Sequence, residues 1–555
     1  MLTSINHSMR QLSKNRQNQY LAKFVIVFMV LLYLIYANYY AGVEENIRFK
    51  ISSEKTLKGS RILLEDKLRT NLLSSSWIKL FPHLEHMVES RAKLTAEKIT
   101  SPINTVVKLI DRKTYKTGEL FNATITAYDE LGYRKKYGGD FFMVTLGRQS
   151  YKNDGVSCEV YDEKNGSYHV TCFLLWPGNA VLRVVLIHPS ESIYELMKMY
   201  SSESEWGVRM EAIMLNSKQE NERTVCSIGF PETRSDELCD LSNPTHGEKW
   251  TCLKPSSGEC SNITWMQKVA NESKLLFWDN KYFRDGYNSY IEIKGSGAAI
   301  RVQDSVNPPM YPPILNRRVG VDPSTPTGWV LNSRWISFGR GIHNSNTIRL
   351  RQCAAGKEFY FIGDSTLRLW HSYFAQVLHI KQEAPTNPAL YSQPQDGYKE
   401  DINTSIHYRA HGPPMHNPGP VWVRPFITDT LDSIKNGGRG TYVIITLGLH
   451  FELYDADIFG ERIRMIKTRI KSLLSRHPGI KVFVKGLHHH EHTPLCPTSW
   501  ITFRYDVMLR HEFVNMKGVV FLPMWDFSVL RANKDLHPQG DIFTTQIGMF
   551  LSYIC

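Results

Sequence analysis

FYFIGDSTLRLW, residues 359–370, places a serine between a run of strand-forming residues and the start of a helical pattern. A hydroxyl there could attack a carbonyl carbon, provided that a base takes its proton and N–H donors stabilise the oxyanion. Gly-Asp-Ser alone decides nothing, since it arises by chance in roughly one chain of this length in fifteen. Context raises it: free helix amides and the helix dipole favour negative charge beside Ser365. His537 in NKDLHP is a candidate base, with Asp535 beside it to orient the imidazole and Asp526 as a spare carboxylate. The plainer alternatives make Ser365 and Asp535 helix caps. LHHHEH, residues 487–492, adds four imidazoles and Glu491, either as zinc-type donors or as a solvated loop with one or two histidines near a substrate.

These residues need a scaffold, and from residue 341 onward strand and helix patterns alternate. EFYFI precedes a helical stretch with Leu367, Trp370, Phe374, Val377 and Leu378 on one face, and TYVIITLG precedes IFGERIRMIKTRIKSLLSRH. KVFVKG, WITFRYDVMLRHEFV, GVVFLPMWDF and DIFTTQIGMFLSYIC complete the series. This predicts an α/β domain over 341–555 with a mostly parallel sheet. Sites in such sheets form at the carboxyl ends of strands, which puts Ser365 and residues 487–492 on one edge. Upstream, TVVKLI, LFNATITAY, FFMVTL, CEVY, YHVTCFLLW and AVLRVVLI, divided by turns such as KTGE, KNGS and WPGN, predict an immunoglobulin-like β-sandwich over 98–200. It holds no cluster of acids, histidines or thiols, so its expected role is spacing or binding. Residues 201–340 read as a cysteine-rich connecting region and 44–97 as a polar stem.

At 555 residues the chain is too long for one core and suggests about three or four units. Its net charge of +12 is spread without a basic run, a zinc finger or an RNA-binding pattern, which argues against nucleic acid as a partner. FVIVFMVLLYLIYANYYAGV, residues 24–43, is uncharged and of the length a helix needs to cross a bilayer. Arg10, Lys14, Arg16 and Lys23 precede it and Glu44 and Glu45 follow, so the positive-inside rule predicts a cytosolic tail over 1–23, a type II signal anchor and a lumenal remainder. Cleavage, giving a secreted form, is the competing reading, but Tyr36, Tyr39 and Tyr40 suit a membrane interface better than a cleavage site. Sequons at Asn122, Asn165, Asn262, Asn271 and Asn403 fit a lumenal glycoprotein, as do the nine cysteines. Cys158 and Cys172 flank a hairpin with Asn-Gly at its tip and are the natural disulfide pair. Cys226, Cys239, Cys252 and Cys260 form a second cluster whose pairing stays open. With Cys353, Cys496 and Cys555 the total is odd, so at least one thiol is free or pairs between chains.

The pattern of Gly-Asp-Ser followed by Asp and His near the C-terminus of a small α/β domain resembles the SGNH (GDSL-type) hydrolase superfamily. FYFIGDSTLRLW, RAHGPP, TLGLHF and DLHP, in that order, resemble its PC-esterase branch, which includes plant wall-polysaccharide O-acetyltransferases and the lumenal head of an animal sialic acid O-acetyltransferase. YKTGELFNATITAYDELGYRKKYGGDFFMVTL, with the disulfide hairpin and the anchor, resembles the neurexophilin and PC-esterase domain (NXPE) family. The resemblance implies Ser365 as nucleophile, its own N–H and that of Gly412 as oxyanion donors, and His537 with Asp535 as base and orienter. Many relatives carry Gly-x-Asn-Asp in the third block; Gly448-Leu449-His450 stands here, so His450 would donate instead of Asn. The last block usually has Asp three residues before His, where this chain has Lys534. Superfamily catalysis needs no metal, and none is expected.

The implied activity is O-acetyl transfer at the Golgi membrane, with Ser365 passing an acetyl group from a donor to a glycan hydroxyl. Sialic acid on glycoproteins is the first acceptor expected. No bound cofactor is expected; one span offers a cytosolic donor no path, so lumenal acetyl-CoA or a partner transporter is implied. A lumenal glycan esterase would use the same residues. A degenerate esterase domain would leave a neurexophilin-like binding protein, whose partner would be a cell-surface receptor.

Overall fold

The computed structural model describes residues 98–555 apart from 111–113, 150–153, 195–209, 228–233, 262, 269–290, 306–325, 339–340, 343–346, 383–391, 413–418, 453, 455 and 492–498. The anchor predicted at 24–43, the stem up to residue 97, Asn262, Asn271, His492 and Cys496 lie outside the described residues. Among those described, no helix is long and apolar enough to cross a membrane.

The C-terminal part runs α1 (Thr347–Ala354), β1 (Glu358–Gly363), α2 (Ser365–Leu378), β2 (Gln395–Lys399), β3 (Thr404–Ala410), α3 (Ile427–Ser433), β4 (Thr441–Ile445), α4 (Ala456–Arg476), β5 (Lys481–Lys485), α5 (Ser499–Phe513), β6 (Val519–Leu522), α6 (Trp525–Leu530) and α7 (Gly540–Ile554). Its strands lie in the order β2-β3-β1-β4-β5-β6. All neighbours are parallel except β2, which runs antiparallel to β3. The chain winds from β1 to one side for β3 and to the other for β4, so the winding reverses at β1. Crevices at such reversals are where open α/β sheets hold ligands.

Central position explains the composition of β1. Phe359 and Phe361 face one side of the sheet with Phe374 of α2 and Phe550 of α7, while Ile362 joins Ile463 and Ile466 of α4 on the other. Along α2, Leu367, Trp370, Phe374 and Leu378 recur every three or four residues and are buried. Phe374 meets Phe359 and Phe361 edge-on at 5.3 and 5.1 Å between centroids, and its truncation to Ala is expected to cost about 3–5 kcal/mol. The helix stops at His379, which takes the left-handed conformation at φ 52° and returns its N–H to Ala375 and Gln376.

One further core and one further sheet are built mostly from residues that precede this domain in sequence. The core lies between a four-stranded antiparallel sheet (Val106–Leu109, Leu120–Thr126, Ser167–Phe173, Glu159–Asp162) and a larger sheet built on Phe141–Arg148 and Gly178–His188. Alternating burial along Leu120–Thr126 and Phe141–Arg148 is the period-two signature of strands with one face in a core. The further sheet is six-stranded, made of Met210–Leu215, Asn221–Ser227, Leu238–Asp240, Thr251–Leu253, Ile263–Lys268 and the short Gly419–Pro420. Its apolar residues share one core with α3, α4 and α5.

Residues 201–340, expected as one connecting region, therefore serve two sheets. Those from 210 to 268 form five strands of the six-stranded sheet. Ala299–Gln303, Gly328–Leu331 and Arg334–Ser337 extend the larger sandwich sheet instead. Disulfides join Cys158 to Cys172, Cys226 to Cys252, Cys239 to Cys260 and Cys353 to Cys555.

Candidate active site

Ser365 is the first residue of α2, directly past the carboxyl end of β1. The backbone crowds there: a Cβ on Gly363 would lie 2.3 Å from the Thr446 carbonyl oxygen, so the Gly of Gly-Asp-Ser is set by the approach of the β4 strand end. Asp364 caps the helix, its Oδ1 accepting the Thr366 N–H at 2.9 Å and the Thr366 hydroxyl at 2.7 Å. The Ser365 N–H has no acceptor among the described residues. It belongs to the first turn, whose amides have no partner within a helix.

His537, remote in sequence, arrives at the serine: Ser365 Oγ lies 2.6 Å from His537 Nε2. A serine that donates to Nε2 fixes the proton of the neutral ring on Nδ1. Burial holds His537 below its ordinary value; the Asp364 carboxylate opposes that shift and Arg368 adds to it. At neutral pH the ring is thus a free base.

Asp535 does not orient this imidazole. It is exposed, and no hydrogen bond links its carboxylate to His537; its charge is the last of the contributions acting on the ring. The spare carboxylate, Asp526, is committed elsewhere, accepting the Thr327 N–H at 2.9 Å and the Thr327 hydroxyl at 2.6 Å. Contacts with the 488–491 segment hold the loop that carries His537. His488 Nε2 donates to the Leu536 carbonyl at 2.9 Å, and the Glu491 N–H to Lys534 O at 3.2 Å. Asn533 Nδ2 donates to His489 O at 2.6 Å and to Asp535 O at 2.8 Å, and Lys534 pairs with Glu491 at 2.9 Å.

The 488–490 histidines therefore form buried framework, in place of the solvated loop expected. His488 and His490 are 0% exposed and His489 4%. Burial, reinforced by Lys485, keeps His488 neutral, and burial lowers His489 to about 3. His490 differs. Burial pulls it down, but the Glu452 carboxylate outweighs that and raises it. His490 Nδ1 donates to Glu491 O at 2.8 Å and Nε2 to Glu452 at 3.2 Å, so both nitrogens are donors, as an imidazolium requires. Among the described residues no three His, Cys, Asp or Glu side chains converge as metal ligands.

The second and third blocks reach the same sheet edge by extending the β1 ladders: His411 N–H donates to Gly363 O at 3.2 Å and Thr446 N–H to Ile362 O at 3.1 Å. Gly412 follows directly, but its N–H donates to Pro425 O at 2.7 Å and closes its own loop, so it is not left for an oxyanion. His450 lies on the short 3-10 turn Leu449–Phe451, half-buried, with its ring 4.8 Å from that of His411. His411, next to Gly412 in RAHGPP, was not singled out from sequence; nor were His488 as a brace, Asn533 or Thr366. Only adjacency to the recognised blocks could have flagged them.

Of the sequons described, Asn165 and Asn403 are exposed and Asn122 is half-buried on a strand. Each side-chain oxygen accepts one hydrogen bond, from Ser167 N–H at 3.0 Å, Tyr398 OH at 3.2 Å and Thr171 OH at 3.1 Å respectively.

Two family models match the chain. One, described as NXPE family member 4-like, C-terminal domain, spans residues 335–555, which include all six strands of the C-terminal sheet together with Ser365 and His537. The other, described as neurexophilin, spans 121–275 and so covers most of the sandwich together with the cysteine-bonded sheet. The chain belongs to the NXPE family.

Proposed function

We propose that this NXPE family protein is a glycan O-acetyltransferase of the Golgi membrane, with an SGNH-type C-terminal domain facing the lumen and a Ser365–His537 pair as its acyl-transfer centre. One observation carries the reading: the 2.6 Å contact between Ser365 Oγ and the nitrogen of a neutral imidazole at a helix N-terminus. Ser365 Oγ attacks the donor acyl carbon while His537 Nε2 takes its proton. The Ser365 N–H, aided by the helix dipole, stabilises the oxyanion. The imidazolium returns its proton to the leaving group, and the cycle reverses when a sugar hydroxyl attacks the acyl-serine and loses its proton to His537. Lumenal acetyl-CoA, or an acetyl donor supplied through a partner transporter, serves as donor, and sialic acid on glycoproteins as first acceptor. Excluding water from the acyl-serine separates transfer from hydrolysis. The chain anchored through residues 24–43, incubated with acetyl-CoA and sialylated glycoprotein, should yield O-acetylated glycan that Ser365→Ala does not. Acetate without acetylated glycan would make it an esterase.

A second reading has its own support: among the described residues no carboxylate hydrogen-bonds to His537 Nδ1, and the Gly412 N–H is occupied. A retained fold with an incomplete site suits a neurexophilin-like binding protein for a cell-surface receptor. A serine-reactive fluorophosphonate that labels Ser365 would rule against it.

A further inference from the structure

We propose that Lys485 is a positioning residue of the Ser365 site, a buried ammonium that acts through the Thr366 hydroxyl to offset the Asp364 charge beneath the oxyanion position. The inference rests on the reading of Ser365 as a nucleophile. Lys485 ends β5 and is 0% exposed. Its Nζ donates to Thr366 Oγ1 at 3.1 Å, and that hydroxyl donates in turn to Asp364 Oδ1 at 2.7 Å. The Thr446 hydroxyl pins the Lys485 carbonyl at 3.2 Å, tying β5 to the end of β4. The charged and titratable groups facing Nζ are Asp364 before α2, Asp506 on α5 and His488 beyond its own strand. Lys485 makes no direct ion pair among the described residues, and Asp364 Oδ2 is buried there without a hydrogen bond.

Burying an ammonium on one neutral hydroxyl is unfavourable, and Met of similar shape would pack the site without that penalty. The charge does have an electrostatic task. Asp364 stands one residue before Ser365, is 1% exposed, and is the largest charge acting on His537. Unopposed, it would disfavour an oxyanion at the Ser365 N–H, and in a dry environment such an effect is strong. Lys485 supplies the opposing sign from the far side of Thr366. Burial lowers Lys485 to about 8 against the pull of Asp364 and Asp506, so the offset is present at neutral pH and disappears as pH rises through that value.

The test is the rate constant for fluorophosphonate labelling of the full chain, measured from about pH 5.5 to 9.5 alongside acetyl-ester turnover. Wild type is expected to rise as His537 loses its proton and to decline above about pH 8. Lys485→Met is expected to label about tenfold more slowly at pH 7 and to lack the alkaline decline. A purely structural lysine would leave the shape of the profile unchanged. Equal rates and profiles in wild type and Lys485→Met, with Ser365→Ala silent, overturn the role of Lys485 and leave Ser365 intact. Neither labelling nor turnover in wild type at any pH overturns both. Should Lys485→Met not fold, Thr366→Val cuts the relay while keeping the lysine; slower labelling supports the proposal and a wild-type rate overturns it.

Discussion

Ser365 stands on a strand–turn–helix unit at the centre of a six-stranded sheet, whereas His537 stands on an irregular loop between α6 and α7. The serine is placed by regular structure: β1 is hydrogen-bonded on both sides, Gly363 admits the Thr446 carbonyl, and Asp364 starts the helix. The histidine is placed by a brace, in which residues 488–491 and 533–536 hydrogen-bond to each other's backbone. Regular structure fixes a side chain through many weak contacts, so few single changes move it. A brace relies on a handful of hydrogen bonds, and each of them is a point of failure.

The largest effect should come from the pair itself. His537→Gln removes the base and is expected to lower fluorophosphonate labelling about 10³-fold with an unchanged melting temperature. A smaller loss would mean that the helix terminus, not the base, activates Ser365. Next is the brace. His488→Leu leaves the Leu536 carbonyl without its donor, an effect of about 1–3 kcal/mol, and should slow labelling about tenfold. His488→Gln, which keeps an N–H donor, should recover most of the rate; equal losses in both variants would show that packing, not the hydrogen bond, holds the loop.

The His490–Glu452 pair sharpens the comparison through pH. His490 is raised above its ordinary value, so its stabilisation is whole below pH 6.5 and is lost as pH rises through the raised value. Thermal melts of wild type should therefore fall across that window, and His490→Gln should remove the fall. The smallest effect is expected at Asp535. Asp535→Asn should change labelling by less than about twofold, because the carboxylate is exposed and unbonded to the ring. It should also move the acid limb of the profile slightly lower, since Asp535 raises His537. A tenfold loss would restore the triad that the sequence suggested and make the brace secondary.

Much of the scaffold was legible because it rests on local periodicity. The helical spacing of Leu367, Trp370, Phe374 and Leu378, and the turn between β1 and α2, follow from neighbours in sequence, and so does the position of Ser365. The 201–340 region was not legible as a unit. Its short strands contribute to sheets whose other members lie far away, including Gly419–Pro420, and no local period records that.

The site divides the same way. Residue types and their order brought Ser365 and His537 forward as nucleophile and base, since a helix start and a histidine are chemical facts that adjacent residues carry. Whether Asp535 faces the ring, whether the Gly412 N–H is free, and whether three consecutive histidines are ligands, a wet loop or a brace depended on partners 13 to 48 positions away: Pro425, Leu536 and Asn533. A hydrogen bond to a backbone carbonyl reads no side chain on its partner. Such choices leave no trace in the sequence, and only the folded chain decides them.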